Sequence, residues 1–183
     1  MLVAVVVLVV AVVAIGQVTK SKKGVGDPNA PDDARFTTCP TSSANACLDQ
    51  LAQAWGSDAH RLPSVAVPGA MKYERGFIAN KGKPPAGFLV FQTKINGSAQ
   101  PMEITLRISP ATAAPYDPKH RGGKLRKLPS GRSYLDFSSP KHSGPFVEHL
   151  ADLELVVAYD SPTSPAELRT KKLELLDSAT TAR

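Results

Sequence analysis

The chain contains 183 residues, of which 42% are hydrophobic and 21% are charged, and its formal net charge is +6 at neutral pH. This composition is typical of a soluble domain, and the residues beyond Phe36 are enough for one hydrophobic core, so one domain is expected. The chain has only 2 cysteines, which excludes a metal site built from cysteines alone.

An uninterrupted apolar run occupies residues 2–15 and is followed by a lysine cluster, Lys20, Lys22 and Lys23. As a helix extended to Val18, the run rises about 25 Å, close to the ~30 Å of a bilayer core. We predict that residues 1–19 form a single transmembrane helix that anchors the protein. Two alternatives stay open. One is a cleaved secretory signal, for which the run has small residues at its end but no basic residue before it. The other is a buried strand or helix.

Two features of the sequence disagree about the side of the membrane on which the domain lies. The lysine cluster predicts a domain in the cytoplasm by the positive-inside rule, which would make the protein a membrane-tethered adaptor. Cys39 and Cys47 lie close together in the sequence and predict a disulfide, which is typical of oxidising compartments. Because charge bias sets orientation only statistically, we predict a single-pass protein of the cell membrane with an extracytoplasmic domain.

The lysine cluster and a linker rich in proline, glycine and aspartate fill residues 20–38, and residues 39–183 are predicted to form a β-rich globular domain. One short helix is expected near the start of this domain, because Ser43 fits an N-cap and apolar residues then recur every three or four positions at Cys47, Leu51, Ala54 and Trp55. The predicted disulfide would join the end of the linker to the first turn of this helix.

Short segments with alternating polar and apolar residues follow the helix. In one of them, Ile104, Leu106 and Ile108 alternate with polar residues, as in a strand with one buried and one exposed face. Together the segments predict an antiparallel β-sandwich, immunoglobulin-like or related. The predicted strands are residues 73–79, 87–95, 102–108, 133–137, 153–159 and 172–176.

The C-terminal segment is open to two interpretations. Ser164, Pro165 and Glu167 form a good helix start, whereas Leu173 and Leu175 alternate with polar residues as in a strand. We predict a helical turn at residues 164–169 that leads into a final strand. The sequence LELVVAYD, a proline-containing break and KLELLDS together resemble the closing strands of immunoglobulin-like extracytoplasmic domains, without a diagnostic motif.

The positive charge of the domain is concentrated in residues 119–141, which contain seven lysines and arginines and one acidic residue, Asp136. Within it, glycines and a proline predict that residues 119–132, KHRGGKLRKLPSGR, form a loop, and the cations of this loop suit phosphates, anionic lipid headgroups, acidic polysaccharide or a protein partner. The alternative is a solvated hairpin tip. A nucleic-acid partner is not expected, because no phenylalanine, tyrosine or tryptophan lies among the cations of residues 119–132. The predicted binding residues are Lys119, Arg121, Lys124, Arg126, Lys127 and Arg132.

Catalytic patterns are sparse. Ser138 and Lys141 match a serine-x-x-lysine pattern, in which a neutral lysine would activate the serine hydroxyl, but the companion motifs of penicillin-binding enzymes are missing. The 4 histidines lack the spacing of a helical metal site. We therefore predict a non-enzymatic binding domain without a metal or cofactor. The alternative from a different class is a hydrolase that uses Ser138, Lys141 and a histidine.

Overall fold

The computed structural model of the chain describes residues 36–79, 84–111, 122–139, 144–159 and 166–180. The predicted membrane segment, residues 1–19, and the linker that follows it lie outside these ranges. Within them, no helix is both long enough and apolar enough to cross a bilayer.

Eight antiparallel strands form the main sheet. They are β1 (Phe36–Thr38), β3 (Met71–Ala79), β4 (Gly87–Thr93), β5 (Met102–Pro110), β6 (Lys124–Lys127), β7 (Ser133–Asp136), β8 (Phe146–Leu150) and β9 (Leu153–Tyr159). Their order across the sheet is β1-β3-β4-β5-β9-β8-β7-β6. Two further strands, β2 (Ser64–Val65) and β10 (Ala179–Thr180), pair with each other as a small second sheet. The prediction of a mainly antiparallel β fold is confirmed.

Two helices pack against the main sheet, α1 (Ala44–Trp55) and α2 (Ala166–Asp177). Their apolar residues belong to the same buried cluster as the inner faces of β3, β4, β5, β8 and β9. The fold therefore resembles a sandwich only in having a core between two layers, since the layer that faces the main sheet is formed by helices. The strands do not form the two facing sheets of a β-sandwich, because all eight are joined side by side by backbone hydrogen bonds in one sheet.

Side chains alternate between the two faces of the main sheet, and the apolar ones of this core face the helices. Ile104, Leu106 and Ile108 of β5 are fully buried against the helices, and their neighbours Glu103 and Arg107 lie on the opposite face of the sheet. That opposite face has a smaller apolar cluster of its own, formed by Leu135, Val147 and Val156.

The predicted N-terminal helix is confirmed as α1. The Ser43 hydroxyl caps it by accepting a hydrogen bond from the backbone N–H of Ala46, at 3.1 Å. Cys47 in its first turn forms the predicted disulfide with Cys39, which follows β1 directly. Closing so short a loop stabilises the fold by about 2.5 kcal/mol in the chain-entropy model.

Two glycines on neighbouring strands let α1 approach the sheet closely. A Cβ atom on Gly76 would lie 2.5 Å from the sulfur of Cys47, and one on Gly87 would lie 2.6 Å from a methyl carbon of Leu51. Real Cβ contacts are essentially never this short, so a larger residue at either position would require Cys47 or Leu51 to shift.

The predicted final strand, residues 172–176, is wrong, because these residues belong to α2. The helix buries Leu168, Lys172, Leu175 and Leu176, which recur at the spacing of one helical face. Lys172 occupies a core position in this pattern, so the apolar period is broken and the remaining leucines alternate as in a strand. The resemblance to the closing strands of immunoglobulin-like domains therefore does not extend to this segment.

Candidate interaction site and buried charge clusters

Residues 124–127 form strand β6 where the sequence predicts a loop. Strand β6 pairs with β7, Lys124 lying opposite Asp136 and Lys127 opposite Ser133. The connecting turn is closed by a 2.8 Å hydrogen bond from the N–H of Leu128 to the carbonyl of Arg132, and Gly131 in the turn has a φ of 86°. Glycine tolerates this left-handed conformation without steric cost. The cations of β6 are therefore held at fixed spacing.

Three of the six predicted binding residues, Lys124, Arg126 and Lys127, lie on β6 and are exposed. Arg126 is exposed but is also bound within the protein, because its Nε donates a 2.9 Å hydrogen bond to Asp136. The predicted binding residues Lys119 and Arg121 lie outside the described residues. Within the described ranges, neither Lys124 nor Lys127 has an ion-pair partner.

Arg132, the sixth predicted residue, faces inward and fastens the C-terminal end of α2. Its guanidinium donates to the carbonyls of Leu176 and Asp177, at 3.1 Å each, and to the carbonyl of Ala179. A cation at this position also interacts favourably with the helix dipole. The structure thus separates Arg132 from the exposed cations of β6.

A buried carboxylate, Asp136, holds one cluster of charged residues together. Its side chain is 2% exposed and accepts hydrogen bonds from Arg126, Arg169 and the backbone N–H of Ser138. Burial alone would raise the pKa of Asp136, but the hydrogen bonds from Ser138 and Arg169 outweigh it and hold the pKa below its usual value. Asp136 therefore stays ionised and links β6 to α2 through two arginines.

Lys172 lies next to this cluster and is 0% exposed. Its ammonium group donates a 2.7 Å hydrogen bond to the carbonyl of Gly144 and lies 4.0 Å from the centre of the Phe146 ring, a favourable cation–π geometry. Burial lowers the pKa of Lys172 to about 8, the charge of Asp136 opposes this shift, and Arg169 adds to it. An amine with such a pKa is a usable nucleophile, but this amine is fully buried and donates to the carbonyl of Gly144.

A second buried carboxylate, Glu148, lies at the other end of α2. It is 1% exposed, and its Oε1 lies 3.1 Å from Nε of Arg132. Burial raises the pKa of Glu148 to about 7, Arg132 opposes this shift, and Asp177 increases it. Its second oxygen has no hydrogen-bond partner among the described residues, so the negative charge of the ionised form is incompletely compensated there.

The alternative hydrolase site is only partly described. Ser138 is half-buried, and its backbone N–H is bound by Asp136 at 2.9 Å. Lys141 lies outside the described residues. In the part of the chain that the structure describes, no three histidine, cysteine or acidic side chains come together as metal ligands would.

The sequence patterns did not predict the buried charges Asp136, Glu148 and Lys172, nor the partly exposed Arg169 that binds Asp136. A signal for one of them was present, since Lys172 falls four residues after Leu168 and three before Leu175, on the apolar face of a helix. Comparisons with family models, with curated proteins and with solved structures find no match.

Proposed function

We propose that the protein is a membrane-anchored, non-enzymatic domain that binds an anionic partner through β6. The observation that carries the proposal is that all four residues of β6 are exposed and three of them are basic. On a strand that rises about 3.3 Å per residue, Lys124 and Arg126 lie about 7 Å apart on one face. A strand presents its charges in a fixed geometry, so binding costs less conformational entropy than it would on a flexible loop.

A non-enzymatic role is supported by the surroundings of the side chains that could otherwise act as a base or a nucleophile. The carboxylate of Asp136, next to Ser138, is held by Arg126 and Arg169, and it is therefore poorly placed to act as a base. Lys172 is enclosed by Gly144 and Phe146. The contacts of these groups stabilise the packing of α2 on the sheet.

The charge of β6 can be tested by reversal. We expect the Lys124→Glu/Lys127→Glu variant to bind immobilised polyglutamate or dextran sulfate at least about tenfold more weakly than the wild type at low salt, because two attractive contacts become repulsive. Binding of the wild type should weaken as salt screens these exposed charges. Surface plasmon resonance over a salt series measures both effects.

A matched control is the Lys72→Glu/Lys94→Glu variant, which has the same net charge and alters exposed lysines away from β6. We expect this variant to retain most of the binding. Equal losses in the two variants would show that net charge alone drives binding and would contradict a role for β6.

An extracytoplasmic location is supported by the Cys39–Cys47 disulfide, because disulfides persist in oxidising compartments. In intact cells, a membrane-impermeant maleimide should label the protein only after treatment with an impermeant reductant. Labelling by a permeant maleimide alone, without any reductant, would place reduced thiols in the cytoplasm and contradict this location. A cysteine-free variant is the control for labelling specificity.

A further inference from the structure

We propose that β6 accepts an acidic, extended peptide segment of a partner protein as a ninth strand of the main sheet. This inference rests on the proposed function and specifies the class of partner. Strand β6 ends the sheet, and among the described residues it pairs with β7 alone. Every second residue of an edge strand directs its backbone N–H and C=O away from the sheet, where another strand can bind them.

An apolar row that ends at β6 gives the added strand a side-chain contact. Leu125 lies opposite Leu135, which lies opposite Val147, which in turn lies opposite Val156. The last three residues are buried, whereas Leu125 is 51% exposed. Leu125 is therefore the open end of the row, and an apolar residue placed opposite it on an incoming strand would extend the row by one position.

The charges of β6 select the partner. Lysines on an edge strand ordinarily discourage pairing with other strands, but this repulsion acts on neutral or basic strands. An incoming strand with acidic residues opposite Lys124 and Lys127 would instead form two cross-strand ion pairs. The matching antiparallel sequence is acidic, acidic or polar, apolar, acidic, since Arg126 is already bound to Asp136.

A second copy of this chain does not fit the same edge. Antiparallel pairing of two β6 strands would place Lys124 opposite Lys127 and Arg126 opposite Leu125, and parallel pairing would place each cation opposite its equal. Like charges directly opposite each other destabilise a pair of strands. The charge pattern therefore favours a different, acidic segment.

The test uses the full chain and a fluorescent peptide with the core Glu-Glu-Val-Glu flanked by threonines. Fluorescence anisotropy should show binding that is at least about tenfold weaker when alternate backbone amides on the peptide edge that faces β6 are N-methylated, because those hydrogen bonds are lost while every charge is retained. A scrambled peptide of the same composition should also bind more weakly. Hydrogen exchange should slow at outward-facing backbone N–H groups of residues 124–127 when the unmodified peptide binds.

The possible outcomes separate this inference from the proposed function. Equal binding of the N-methylated and unmodified peptides, with loss of both in Lys124→Glu/Lys127→Glu, would overturn strand addition and leave the anionic partner intact. Tighter binding to vesicles of anionic phospholipid than to the peptide, with no change in exchange at β6, would identify a membrane surface and also overturn it. Loss of peptide binding in Leu125→Asp, with retention in Lys72→Glu/Lys94→Glu, would support it.

Discussion

Replacing Asp136 with asparagine is expected to lower the free energy of unfolding by about 3 kcal/mol, because removing one partner of a buried ion pair leaves the others uncompensated. Asp136 is almost completely buried, and Arg126 and Arg169 both donate to it. These arginines are about half and one-third exposed, so water relieves part of the loss. Lys172 is fully buried and would lose its nearby negative charge.

Urea denaturation at neutral pH measures this effect, and Asp58→Asn is the matched control. Asp58 undergoes the same chemical change at a site that is about half exposed, where its ion pair with Arg61 is 3.8 Å long. We expect Asp58→Asn to change stability by less than about 0.5 kcal/mol. Similar effects of the two substitutions would contradict the role assigned to Asp136.

A double-mutant cycle shows whether the effect passes through Arg169. If it does, Asp136→Asn should lower the free energy of unfolding by less in an Arg169→Ala background than in the wild type, because one of the two donors is already missing.

The contribution of Asp136 to stability depends on pH with a definite sign. The pKa of Asp136 is lower in the fold than its ordinary value of 3.8, so its contribution is present above that value and is lost as pH falls through the lowered pKa.

Replacing Glu148 with glutamine is expected to stabilise the protein by up to about 3 kcal/mol at pH 8, which is the free energy equivalent of the shift in its pKa. Burial raises this pKa from 4.5 to about 7, so the folded state favours the neutral carboxyl. Its stabilising contribution is complete below pH 4.5 and is lost as pH rises through about 7. Glutamine stays neutral throughout and avoids this loss.

The measurement is the free energy of unfolding of the wild type and Glu148→Gln between pH 4.5 and pH 8. The two proteins should have nearly equal stability at the acidic end and diverge as pH rises. Glu174→Gln serves as the control, because Glu174 lies on the more exposed side of α2, 3.0 Å from Lys171. An unchanged pH slope in Glu148→Gln would show that Glu148 ionises normally in the fold.

Local patterns in the sequence were enough to predict the elements that depend on them. The helix α1 was predictable because its cap and its apolar period agree, and β5 was predictable because polar and apolar residues alternate along its length. In β9 the alternation is confined to the start, where Leu153 and Leu155 flank Glu154, and the apolar residues that follow are typical of a buried strand. The disulfide was predictable because Cys39 and Cys47 have no other cysteine to bind.

Elements that depend on tertiary pairing were missed. The sequence KLRK in β6 has no apolar alternation, and it is a strand because β7 supplies hydrogen bonds along it. In α2 and β8, Lys172 and Glu148 occupy buried positions, which makes an apolar face look polar. The order of residues in the sequence cannot show that Asp136 and the carbonyl of Gly144 lie close to Lys172, or that Arg132 lies close to Glu148.

The strand order also has a consequence for how the chain folds. Strands β3, β4 and β5 pair in sequence, as do β6, β7, β8 and β9, so each half of the sheet forms from local hairpins. Among the described strands, the two halves meet where β5 pairs with β9, and there Ile104 lies opposite Tyr159. Contacts between residues so distant in sequence form slowly, because the intervening chain must first be closed into a loop. Formation of the β5–β9 ladder is therefore the step that should limit the folding rate.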